Sequence, residues 1–127
     1  MRLTGYIIAG AMAITWGTAP AQTIDDARQM MLDGDYAAAL PIFEKALSAK
    51  PKDASLNQWV GVCLLRSGNP KKAERYLKVA DERRLIDAPR YLSEAAFEQY
   101  EFSKATDLLD RYEEGQQEKS PQSPQDN

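Results

Sequence analysis

The sequence predicts an all-α protein of about three stacked helix–turn–helix repeats. The stretch GDYAAALPIFEKALSAKP at 34–51 returns as GNPKKAERYLKVADERRL at 68–85, so that Gly34 falls on Gly68, Ala39 on Ala73, Phe43 on Leu77 and Ala46 on Ala80, each 34 residues apart. Within each copy these apolar residues are spaced i, i+4, i+7, which is one stripe of a helix. Gly34, Pro51 and Gly68 stand where the stripes break off, as helix terminators do. A repeat of this period marks a unit that cannot bury its apolar stripe alone and does so by stacking on its neighbours.

Six helices follow in order. Thr23, with Asp26 three residues on, forms a capping box that starts the first helix near Ile24. Gly34 ends it, because glycine takes the left-handed conformation after a helix at little cost. Asp35 caps the second helix. Lys50-Pro51 ends it, since the residue before proline is pushed out of the helical region. Pro41 lies inside this helix and should remove one hydrogen bond. Asp53 or Ser55 opens the third helix and Gly68 closes it. Asn69-Pro70, a capping residue followed by proline at the first helical position, opens the fourth. Asp87 opens the fifth, Glu101 or Ser103 the sixth, and Gly115 ends the pattern.

The opening helices match less closely, with Val60, Gly61 and Leu64 over Asp26, Ala27 and Met30. A third copy emerges at a spacing of 32: Ala105, Leu109 and Tyr112 follow Ala73, Leu77 and Ala80, and Leu92, Ser93 and Ala96 follow Val60, Gly61 and Leu64. Tyr100 stands where the other copies have glycine. A left-handed Tyr100 would cost about 1–2 kcal/mol; a turn of different shape is the alternative, in keeping with the shortened spacing.

On these residues the chain resembles the tetratricopeptide repeat family: Gly34-Asp35-Tyr36, Ala39, Phe43, Ala46 and Pro51 in the first copy, Val60, Gly61, Leu64, Gly68, Ala73, Leu77 and Ala80 in the second, and a degenerate Leu92, Ala96, Phe102, Ala105 and Leu109 in the third. The resemblance covers roughly 22–114, with repeats at about 22–53, 54–85 and 86–114, and implies a short right-handed α-solenoid. Asp26 departs from the pattern, where a large apolar residue is usual, as suits a terminal repeat with a wet outer side. Leu85, where the first copy has Pro51, departs too.

Residues 1–21 read differently. Arg2 is followed by no charge until Asp25, an apolar run spans Tyr6 to Trp16, and Ala19-Pro20-Ala21 closes it. This is the pattern of a cleaved secretory signal, and with the resemblance it points to a secreted, periplasmic protein of a Gram-negative bacterium. An uncleaved N-terminal anchor is the competing reading. After cleavage no stable membrane anchor is expected.

Composition narrows the chemistry. The chain has 127 residues, a net charge of −3, one cysteine and no histidine. An acidic balance argues against nucleic acid as a partner. Without histidine the commonest general base and metal ligand are missing, and no phosphate-binding loop or calcium loop is present. The expectation is a non-enzymatic protein with no catalytic residues, cofactor or metal. Cys63, in WVGVCLL, reads as a core residue; Arg66 nearby keeps a redox role as the alternative. Lys71, Lys72, Arg75, Lys78, Arg83 and Arg84 put a basic face on the fourth helix, but Glu74, Asp81 and Glu82 interleave with it, which favours a solvated outer face.

What remains is a binding surface. The resemblance implies that the first helix of each pair lines a concave groove for a peptide or protein partner. By alignment, Ile24, Arg28, Met31, Gln58, Val62, Leu65, Arg66, Arg90, Glu94, Phe97 and Glu98 would face it, with Val62 and Leu65 the first of these expected to pack into the core instead. Apolar anchors flanked by arginine and carboxylate are what a protein-binding surface uses. Ile24 and Arg28 do not supply the lysines and asparagines with which clamps of this family hold chaperone tails.

Residues 115–127, GQQEKSPQSPQDN, read as a disordered polar tail or linker. The sixth helix is then left uncapped, with Leu108, Leu109 and Tyr112 not all shielded. Self-association through this helix, docking on another protein, and a role as the N-terminal module or scaffold of a larger envelope protein are the alternatives this opens.

Overall fold

The computed structural model describes residues 22–119. The expected signal segment 1–21 and the last residues of the expected tail, 120–127, lie outside the described residues. Among the described residues six helices follow one another: α1 (Ile24–Leu32), α2 (Tyr36–Ala49), α3 (Ala54–Arg66), α4 (Pro70–Glu82), α5 (Ala88–Glu98) and α6 (Phe102–Lys119). Each packs on its neighbours in sequence, and α3 also touches α5, so the hairpins α1–α2, α3–α4 and α5–α6 stack as an all-α helical-repeat solenoid.

The helix starts follow from the capping residues. Thr23 and Asp26 exchange both bonds of the capping box, at 2.8 and 3.2 Å. Asp35 and Asp53 accept from Ala38 and Leu56 backbone N–H groups. Asn69 and Asp87 stand at the starts of α4 and α5 as expected, but neither side chain makes a capping bond; proline in the first turn carries the signal there. Pro41 sits inside α2, and both it and Ala37, the residue whose carbonyl loses its partner, lie on the exposed side.

The ends of α1, α3 and α5 share one turn. Gly34 and Gly68 have φ of 83°, and Tyr100, in the equivalent place, has 64°. In each, the following N–H reaches back to the helix: Asp35 to Met30, Asn69 to Leu64 and Glu101 to Ala96, all at 2.8–2.9 Å. Tyr100 therefore takes the left-handed conformation within the same turn. Arg84, with φ of 62°, closes α4 in the same way through a Leu85 N–H bond to the Ala80 carbonyl; this turn lies between repeats and carries no glycine to announce it.

Gly115 does not end α6, which runs on to Lys119. Helical glycine costs about 1 kcal/mol relative to alanine, too little to stop a helix by itself, and Gln116, Gln117, Glu118 and Lys119 are good helix formers. Residues 115–119 thus belong to α6 rather than to the tail.

The core runs along the stack, with Phe43, Val60, Cys63, Leu65 and Leu77 its largest fully buried side chains. Phe43 of α2 meets Trp59 of α3 at 5.2 Å between ring centroids, tying the first repeat to the second. Gly61 brings α3 against α4: a Cβ there would lie 2.6 Å from Leu77 Cγ. In the third repeat Ser93 takes that position, and its hydroxyl donates to the Ala105 carbonyl at 2.7 Å. Asn57, also buried, donates to the Pro51 and Asp53 carbonyls and holds the entry to α3.

Candidate functional site

Val62 and Leu65 are 6% and 2% exposed. They belong to the core, and they leave the set of accessible groove residues. Ile24 and Met31 are half buried against the core. Arg28 is exposed, with its guanidinium 5.3 Å from the Trp59 ring centroid and 3.7 Å from the Asp25 carboxylate. Gln58 is half buried, and its Oε1 is buried with no hydrogen-bond partner among the described residues.

The residues from the other end of the set come together. Arg66 Nη1 of α3 donates to Glu94 Oε2 of α5 at 2.5 Å, and Arg90 lies 3.8 Å from the same carboxylate, one turn away. The Glu94 hydrogen bond holds the Arg66 guanidinium above its ordinary pKa. Arg90 also stacks on Tyr91, 4.4 Å from its centroid, with Tyr112 at 6.0 Å. Beside these charges a cleft of about 320 Å3 opens between α5 and α6, lined by Arg90, Ser93, Glu94, Phe97, Glu98 and Leu109. Four of the sequence-derived residues line it.

Leu109 on α6 was legible as uncapped but not as part of this site. Its position is filled by Phe43 and Leu77 in the earlier copies, both fully buried, whereas Leu109 is 42% exposed. Phe97 is 62% exposed where Leu65 is covered. Around the α5–α6 turn Phe97 and Tyr100 both meet Phe102 edge-on, at 5.4 and 6.2 Å. Through Phe97 this aromatic cluster adjoins the charged residues that line the cleft.

A family model described as tetratricopeptide repeat matches residues 30–93. The chain belongs to the tetratricopeptide repeat family. Repeats of this family generally mediate protein–protein interaction, and the family is typically non-enzymatic. No curated protein matches the chain. The matched stretch takes in α2, α3 and α4 with parts of α1 and α5, so the cleft lies at the edge of the tetratricopeptide match and partly beyond it.

Other polar groups serve the tetratricopeptide stack itself. Glu74 of α4 is contacted by Lys104 of α6 at 2.5 Å and by Gln99 at 3.2 Å, and Asp81 of α4 pairs with Arg111 of α6 at 2.8 Å. The Lys104 hydrogen bond holds the Glu74 carboxyl at a pKa of about 2, against the opposing effect of burial. Two of the acids that interleave with the basic residues of α4 are thus turned toward α6, while Lys71, Lys72 and Arg75 stay exposed. Cys63 is fully buried, and burial, with the Glu44 carboxylate second, pushes its thiol up to about 11. A thiol so placed stays protonated and inert at neutral pH.

Proposed function

We propose that the chain is a non-enzymatic protein-binding module of the bacterial cell envelope that receives a peptide or protein partner at the α5–α6 end of its concave surface. One observation carries this reading: Phe97 and Leu109, both exposed, line a cleft together with the charged Arg90, Glu94 and Glu98. Exposed apolar anchors beside charge are the composition of interface hot spots. Export rests on the signal-like residues 1–21 and is tested by the intact mass of the native protein from envelope fractions. A mass beginning at Gln22 supports it; a mass retaining residues 1–21 replaces it with an N-terminal anchor.

The test of binding is the double variant Arg66→Ala/Phe97→Ala, assayed against the partner purified with the native protein. Weakened affinity with unchanged helicity is the expected result. Unchanged affinity would refute the α5–α6 end as the binding surface.

The uncapped face of α6 also supports a second reading, an assembly subunit in which copies of the chain meet there. Leu109→Glu would then dissolve oligomers seen by sedimentation.

A further inference from the structure

The two equivalents of Leu109, Phe43 and Leu77, are both fully buried once the next helix is in place. Phe43 is met by Trp59, an aromatic on the incoming α3. Tyr91, 32 residues after Trp59 on the incoming α5, is an aromatic at the same register and packs against the core cluster that includes Leu77. Each incoming helix therefore brings an aromatic ring to the core at this register. Three residues after Tyr91 comes Glu94, which pairs with Arg66 of the preceding repeat. The third-repeat counterpart of Arg66 is Glu98, an exposed carboxylate on the rim of the cleft that makes no ion pair among the described residues. The charge at this place is reversed, so a complementary helix must carry a cation where α5 carries Glu94.

Resting on the reading of the α5–α6 cleft as the partner surface, we propose that its occupant is an amphipathic helix of a partner protein, with an aromatic residue followed three positions later by Lys or Arg. The helix packs on α6 as α5 packs on α4: the ring covers Leu109 and the cation meets Glu98. A second copy stacked through its α1 does not fit this description. The α1 residue at the place of Trp59 and Tyr91 is Asp25, which would set a carboxylate on Leu109.

The probe is a fluorescein-labelled peptide of residues 87–99 carrying Glu94→Lys, held helical by a staple on the side opposite Tyr91, because so short a helix is marginal alone. Its binding to the chain is read by anisotropy beside the same peptide with Glu94 kept. The lysine peptide should bind about fivefold more tightly, the scale of an exposed ion pair. Glu98→Lys in the protein should reverse the order, and Leu109→Glu should abolish binding of both.

Equal affinities, or no binding by either peptide, overturn the proposal. So does tighter binding of the Glu94 peptide to the unaltered protein, which would mean that it displaces α5 and pairs with Arg66. If the peptides fail while Arg66→Ala/Phe97→Ala still weakens the native partner, the cleft stands as the binding surface and the helix assignment falls. If both fail, the cleft falls too.

Discussion

Leu77 and Leu109 occupy the same place in successive repeats, yet Leu77 is fully buried and Leu109 is 42% exposed. The difference is the next helix: α5 follows α4, and among the described residues nothing follows α6. Truncating Leu77 to alanine removes buried methyls from a closed core and should cost about 2–5 kcal/mol. Leu109→Ala should cost well under that, about 1 kcal/mol. Urea unfolding of the two variants checks the contrast. Similar losses would mean that Leu109 is covered in solution.

Gly61 lies against Leu77, with a 2.6 Å approach to Cγ for any added Cβ. The atom approached is a branch point of a buried side chain, not its free end. Gly61→Ala should therefore destabilise by about 1–3 kcal/mol through overpacking, against a gain of about 1 kcal/mol in helix propensity. Unfolding by denaturant should show a net loss.

Glu74 has its carboxyl held at a pKa of about 2, below its ordinary 4.5, first by Lys104. A carboxyl with a depressed folded-state pKa adds stability that is complete above the unfolded value and is lost as pH falls through the folded one. Stability from this pair should be steady above about pH 5 and drain away toward pH 2. Glu74→Gln should be less stable at pH 7 and show a shallower fall over that window in thermal melts. An unchanged slope would show that the pair does not persist in solution.

Tyr100 holds φ of 64° and is 81% exposed. Left-handed backbone costs a non-glycine residue about 1–2 kcal/mol, and glycine returns part of that gain in chain entropy. Tyr100→Gly should raise stability by roughly 0.5–1 kcal/mol by the same balance. A loss in calorimetry would assign the Phe102 contact more weight than the strain.

The repeat made most of the fold legible. Spacing alone placed Ala39, Phe43, Ala73 and Leu77 in the core, and capping chemistry placed the starts of the helices. Arg84 was not legible, because its turn is set by how α5 docks on the preceding repeat and no glycine marks it. Gly115 misled, since a glycine ends a helix only where the chain also turns left-handed. In the site, Arg90, Glu94, Phe97 and Glu98 follow from the alignment of first helices. Val62 and Leu65 share that alignment but lie in the core, with the next repeat stacked on theirs. Leu109 joins the cleft from a second helix, and Lys104 and Arg111 reach α4 from thirty residues away in sequence; such contacts depend on stacking geometry that periodicity does not encode.

The central claim is where a partner sits, and photo-crosslinking in living cells tests it most directly. A benzophenone amino acid is placed at Phe97, and as a control at Lys45 on the exposed side of α2. The account predicts a discrete protein adduct from position 97, lost when Leu109 is also changed to Glu, and none from position 45. Adducts from position 45 with none from position 97 would contradict it.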